Sequence, residues 1–245
     1  MLQMPALRVL WLALVSLYDE TIALVVGNLL WLALNLPVFL LLAGVALPFV
    51  DPGNLAWLLV GLGWLLLILP TPAGIALGAL ASEAAGPNVP RRAAFWDGLR
   101  ARWRLGLACG AVSLLVTLAI AFNIAFYATR TEGLLRLTAI LWLYGLWFWL
   151  GMHVYLVPLL HHVHEPRLLD LYRRAALITL GQAVPTLLLV LLILLFGAVT
   201  IVFLPAYVLV AAAFVALAQA HAFREVRRRL GDLSVADADQ EKRAW

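Results

Sequence analysis

Charge is scarce in this chain. Of 245 residues only 12% are Asp, Glu, Lys or Arg, about half the share of a soluble domain. Hydrophobic residues make up 65% and the mean hydropathy is +1.00. Those proportions exclude a soluble globular protein, a disordered chain and a nucleic-acid-binding module. A single cysteine, Cys109, excludes an intramolecular disulfide and any cysteine-based zinc or iron–sulfur site. Lys242 is the one lysine and lies near the C-terminus, so the body of the chain has no Walker-type loop and no Schiff-base lysine. The patterns G-x-S-x-G, H-E-x-x-H and G-x-G-x-x-G are also missing. The 13 acidic residues all fall outside the middle of the apolar runs. That placement argues against a carboxylate proton path and an intramembrane aspartyl enzyme.

What remains is apolar sequence in lengths that fit a bilayer. About 20 mostly apolar residues make one spanning helix. Six such windows occur, at 22–47, 55–80, 105–128, 137–160, 177–197 and 200–221. The last two form one run, which we divide near Gly197. No stretch alternates with period two for long, so the expected fold is all-α, a polytopic membrane helix bundle. With the N-terminus inside, all but two of the 17 basic residues fall on inner segments, and only Arg130 and Arg136 lie outside. The positive-inside rule then places both termini in the cytoplasm of a cell whose plasma (inner) membrane holds the protein.

This predicts three regions. Residues 1–21 form an interfacial helix rather than a cleaved signal, with Leu7, Leu10, Leu14 and Leu17 at helical spacing. Residues 22–222 form the six-helix domain. Residues 223–245 are a basic helix end and a polar tail. Within the second region, Asn88 and Pro90 suit a helix start. Phe95, Trp96, Leu99 and Trp103 would then form the apolar stripe of an interfacial helix near 90–104. Its neighbours Arg91, Arg92, Arg100 and Arg104 would contact anionic lipid or a partner.

Gly74 and Gly78 lie four apart in the second span, and Gly106 and Gly110 four apart in the third. Small residues at that spacing allow close backbone approach in lipid, so these spans should pack tightly. Prolines Pro37, Pro70 and Pro72 mark candidate helix breaks, strongest in Leu69-Pro70-Thr71-Pro72-Ala73-Gly74. Polar groups inside spans are few. Asn28 and Asn35 share a face with Trp31. His153 shares one with Trp142 and Trp149. Both sets are candidates for lining a cavity or holding a ligand, aromatic faces being suited to sugars. Both are equally readable as packing and hydrogen-bonding groups. His161, His162, His164 and Glu165 cluster together, but their spacing fits no metal motif. No metal and no cofactor is expected.

Several segments together resemble the YesL family, bacterial multi-pass membrane proteins of about this size. They are Asn28-Leu29-Leu30-Trp31 with Leu36-Pro37, then Pro72-Ala73-Gly74-Ile75-Ala76-Leu77, then the stretch from Phe95-Trp96 to Arg104. The segment 155–160, Arg174-Ala175-Ala176-Leu177 and Leu204-Pro205-Ala206 complete the likeness. In the second span the family usually reads Gly-Pro-Ala-Thr where this chain has Pro70-Thr71-Pro72-Ala73. The resemblance implies a non-enzymatic membrane protein accessory to carbohydrate uptake. The alternative is a transporter or channel in its own right for a small polar or sugar-like solute. Expected partners are the lipid bilayer and a membrane protein or second copy of the chain, with no nucleic acid.

Overall fold

The computed structural model describes residues 5–87, 89–91, 93–129, 133–163 and 167–229. Among these every regular element is helical. The helices are α1 (Pro5–Asp19), α2 (Thr21–Ala46), α3 (Leu55–Ile68), α4 (Pro72–Ala84), α5 (Ala94–Ala128) and α6 (Gly133–His162). They continue as α7 (Leu168–Gly181), α8 (Ala183–Val202), the short α9 (Leu204–Ala206), a π turn (Tyr207–Ala211) and α10 (Ala212–Arg229). By length and composition, four helices among the described residues can cross a membrane, or six if each bent pair counts as one span. Six is the sequence expectation; its bent pairs are α3–α4 and α7–α8. Asn88, Arg92, His164, Glu165 and the tail from 230 onward lie outside the described residues.

The least hydrophobic of the four long spans sits at the centre. In the span Tyr207–Arg229, 72% of the apolar window is buried, against 17% in Thr21–Ala46. Lipid and protein interior are equally apolar, so leucines gain nothing by facing inward. Small side chains gain close contact there. α10 therefore turns its alanines to α1, α2, α4 and α6. The leucines and aromatics of α2, α5 and α6 remain at the surface.

The leucine stripe expected for the first region is divided between two faces. α1 is packed along α10 and α8 through buried Ala6, Val9 and Ala13. Leu7 and Leu14 point outward beside Trp11 and Tyr18, while Leu10 and Leu17 pack part-way against the core. Three other expectations on segment boundaries change. The helix predicted near 90–104 is the first part of the 35-residue α5. Nothing between Arg104 and Leu105 interrupts the backbone ladder, and the predicted stripe divides. Phe95 and Leu99 pack inward; Trp96 and Trp103 are exposed. Pro37 does not break α2, which runs unbroken through it. The run 177–222 does not divide at Gly197. It bends by 102° at Gln182, between α7 and α8, and divides again at Phe203, two residues before Pro205. Gly197 is there for contact: a Cβ on it would lie 2.6 Å from the Trp64 ring.

The break at Pro70 is present. α3 and α4 meet at 57°. Leu69, preceding a proline, is extended. Thr71 caps α4 by accepting from the Gly74 amide at 3.0 Å, with Pro72 in the first turn.

α4 and α5 make the most extensive helix pair. Gly106 and Gly110 lie on this seam, over Ile75 and Pro72 and over Pro70 and Thr71. The second and third spans thus pack tightly, as expected, but of the glycines named for it Gly74 and Gly78 are not on the seam. Gly78 faces Val157 of α6 and Gly74 faces Trp31 of α2. On a helix central enough to touch four neighbours, α2, α5, α6 and α10, positions four apart need not serve the same one. Where a glycine meets nothing, its flexibility is only a cost. A Cβ at Gly145 of α6 touches no atom within 4 Å. Gly145→Ala is expected to stabilise the fold by about 0.5–1 kcal/mol, read as a rise in apparent melting temperature in detergent.

Candidate functional site

The densest polar cluster joins α5, α6 and α7. α5 presents Cys109, Ser113 and Thr117 at four-residue intervals, hence on one face. α6 presents Trp149 and His153, and α7 presents Tyr172. His153 Nδ1 lies 2.8 Å from the Trp149 carbonyl, and Nε2 lies 2.9 Å from Ser113 Oγ. A carbonyl only accepts, so Nδ1 carries the proton and the neutral ring receives the Ser113 hydroxyl at Nε2. Ser113 Oγ is 2.8 Å from the Tyr172 hydroxyl, which also donates to the Cys109 carbonyl at 3.1 Å. Two hydroxyl hydrogens thus serve three links, and Tyr172 shares its own between two acceptors. Trp149 Nε1 donates to Thr117 at 3.0 Å, and its ring stacks on Tyr172 and meets His153 edge-on. From α10, Gln219 Nε2 donates to the His153 carbonyl at 3.2 Å.

The Ser113–His153 pair has the reach of a nucleophile and its base, with the far ring nitrogen oriented by a third group. What it lacks is access. Ser113 is 0% exposed and Tyr172 occupies its other side. The chemistry the arrangement supports is a clamp between three helices. Ser113→Ala is expected to cost about 1–3 kcal/mol of stability, since it strands the buried Nε2 acceptor of His153, while Tyr172 keeps its bond to the Cys109 carbonyl. A denaturant titration of the purified protein checks this. Sequence reasoning found His153 and Trp149 here and missed Ser113, Thr117 and Tyr172. The available signal was the four-residue spacing of small polar residues in α5.

Beside His153 is a cavity of about 30 Å³, lined by Trp64, Ile68, Leu150, Val190 and Gln219. That is room for a water or two and not for a sugar ring. Trp142 is half-buried, two turns from Trp149 along α6. The polar face of α2 goes elsewhere. Asn28 Nδ2 donates to the Val208 carbonyl at 2.6 Å, and Asn28 Oδ1 accepts from the Ala213 amide at 2.9 Å. Asn35 Nδ2 donates to the Trp31 carbonyl of its own helix at 2.9 Å. The two sequence-derived clusters, Asn28 with Trp31 and Asn35, and His153 with Trp142 and Trp149, thus share no described polar partner.

Several arginines gather at one end of the bundle. Arg224 reaches the Ala85 carbonyl at the end of α4. Arg227 donates to His162 Nε2 at 2.7 Å, and Arg102 to the Val163 carbonyl at 3.3 Å. Arg229 reaches Gln182 at the α7–α8 bend. Arg91 pairs with Glu83 at 2.7 Å, and that carboxylate holds the guanidinium above its ordinary pKa. Arg91, Arg100 and Arg104 are exposed, and Arg104 lies against the Trp103 ring. Among the described residues no three His, Cys, Asp or Glu side chains are grouped to hold a metal; His164 and Glu165 lie outside them. Comparison with family models, curated proteins and solved structures yields no match.

Proposed function

We propose that this chain is a non-enzymatic, multi-pass protein of the plasma (inner) membrane. Its arginine-rich end faces the cytoplasm, and it accompanies carbohydrate uptake by binding another membrane protein. The observation that carries the non-conduit part is where the polar groups go. Asn28, Ser113, His153 and Gln219 bond to backbone or to one another, and the cavity at His153 admits water alone. A bundle so closed acts through its surface. The link to carbohydrate rests on the resemblance to YesL proteins and is an analogy. The test has two arms. Sugar import is measured in cells with and without the gene, and the tagged protein is recovered from gently solubilised membranes together with an uptake component. Normal import in the deletion, with no such component recovered, removes the reading.

One observation favours a second reading, a transporter in its own right. The 57° break between α3 and α4 and the π turn before α10 are two interruptions in membrane-length helices. Such interruptions build sites in moving bundles. Sugar flux into liposomes holding only this protein selects that reading over the first.

A further inference from the structure

We propose that the outer face of α5 binds the headgroup of an anionic phospholipid, with Arg100 and Arg104 supplying the charge and Trp96 and Trp103 flanking them. Binding of this kind requires only that α5 crosses a bilayer. It needs neither a sugar nor a protein partner.

α5 has two sides. Phe95, Gly98, Gly106, Cys109 and Ser113 are buried against the bundle. On the opposite side Trp96, Arg100, Trp103, Arg104 and Leu107 are exposed. At 3.6 residues per turn these five fall within an arc of roughly 100°. Leu115, Leu118 and Phe122 continue the exposed side. The rise from Arg104 to Phe122 is about 27 Å, close to the thickness of a hydrocarbon layer. Lipid chains therefore cover this side from Leu107 onward, and their headgroups stand at Arg104 and Arg100. Arg100 is about 6 Å further out than Arg104, within a headgroup layer roughly 5–8 Å deep. Tryptophans at that level are interface anchors.

These two arginines keep their donors for an outside ligand. Arg91 is tied to Glu83 at 2.7 Å, and Arg102, on the inner side of α5, donates to the Val163 carbonyl at 3.3 Å. Among the described residues Arg100 and Arg104 have no such bond. The Arg104 guanidinium lies 5.3 Å from the centroid of the Trp103 ring, a contact that leaves its N–H groups to donate elsewhere. Asp97 is the one carboxylate of α5, and it lies 4.0 Å from Arg91. Two guanidinium groups on a lipid-facing side, without protein acceptors, are satisfied by phosphate oxygens, which the planar fork fits. The attraction is greatest for a lipid of net negative charge. An acidic protein segment would meet the same charge, but the exposed leucines that continue the face favour lipid as its cover.

The reporter is Leu107→Cys in the full-length protein, labelled with a bimane fluorophore. Leu107 is exposed, about one turn beyond Trp103, and the native Cys109 is fully buried, so the label reads position 107. The protein is held in phosphatidylcholine bilayers, to which phosphatidylglycerol or phosphatidylcholine with brominated chains is added. Bromine quenches the label on contact, so quenching reports which lipid occupies the face. Both leaflets have the same composition, so the result does not depend on the direction of insertion. Half-maximal quenching is expected at a mole fraction of brominated phosphatidylglycerol about fivefold or more below that of brominated phosphatidylcholine. Arg100→Gln with Arg104→Gln removes the difference. Both side chains are exposed, so this variant elutes as the wild type does. Arg173→Gln with Arg174→Gln, an equal loss of charge on the exposed face of α7, leaves the difference intact. Equal quenching by the two lipids overturns the proposal and leaves the face to an acidic protein segment. A preference that survives the α5 changes, or that falls as far with the α7 changes, overturns it too.

Discussion

Asn28→Leu lowers the stability of the bundle by about 2–4 kcal/mol, because it strands a buried backbone amide and a part-buried carbonyl at once. Val208 and Ala213 are five residues apart, the interval that a π turn's own bond joins. The Asn28 carboxamide spans that interval, donating to the Val208 carbonyl and accepting from the Ala213 amide. Asn28 is itself fully buried. Leucine fills a similar volume and offers neither bond. Asn35→Leu is the contrasting variant. Its one described bond goes to a carbonyl inside the continuous α2, so its loss costs about 1 kcal/mol or less. Unfolding curves for both, measured in one detergent, check the pair. Equal effects would refute the bridging role of Asn28.

Gly98→Leu is the second large effect. A Cβ at Gly98 would lie 2.6 Å from Ala79 Cβ and 3.5 Å from Ala76 Cα. An alanine methyl has no rotamer to move to, so α4 and α5 must part along their seam. Overpacking of this kind costs about 1–3 kcal/mol, and more when backbone has to shift. Gly98→Ala meets only the Ala79 methyl at close range, so Ala79→Gly is expected to restore much of what Gly98→Ala loses. That coupling, measured as a double-mutant cycle, distinguishes a local clash from a general loss of helix quality.

Much of the fold was legible in the sequence because lipid imposes strong rules on composition. Helix existence, the all-α class and the break at Pro70-Thr71-Pro72 each follow from a run length or a proline. The candidate sites were less legible. Asn28 and His153 stood out as polar groups in apolar surroundings, but their partners lie 180 and 40 residues away. Tyr172 carried no signal of its own, since a tyrosine just outside an apolar run is ordinary, and Ser113 showed only in its four-residue spacing with Cys109 and Thr117. The division of the run 177–222 was misplaced because Gly197 looks the same in sequence whether it ends a helix or admits a tryptophan.

By itself, then, the order of residues determined which segments are helical and which long enough to cross a bilayer. Those properties depend on local backbone satisfaction and on transfer from water, and neither requires knowing the neighbours. Only the tertiary structure decided which face of each helix points inward, that the alanine-rich α10 is the hub, and where each polar group finds its partner. In lipid an apolar face reads the same whether it meets a tail or another helix. Small residues and hydrogen bonds break that tie only once the helices are together.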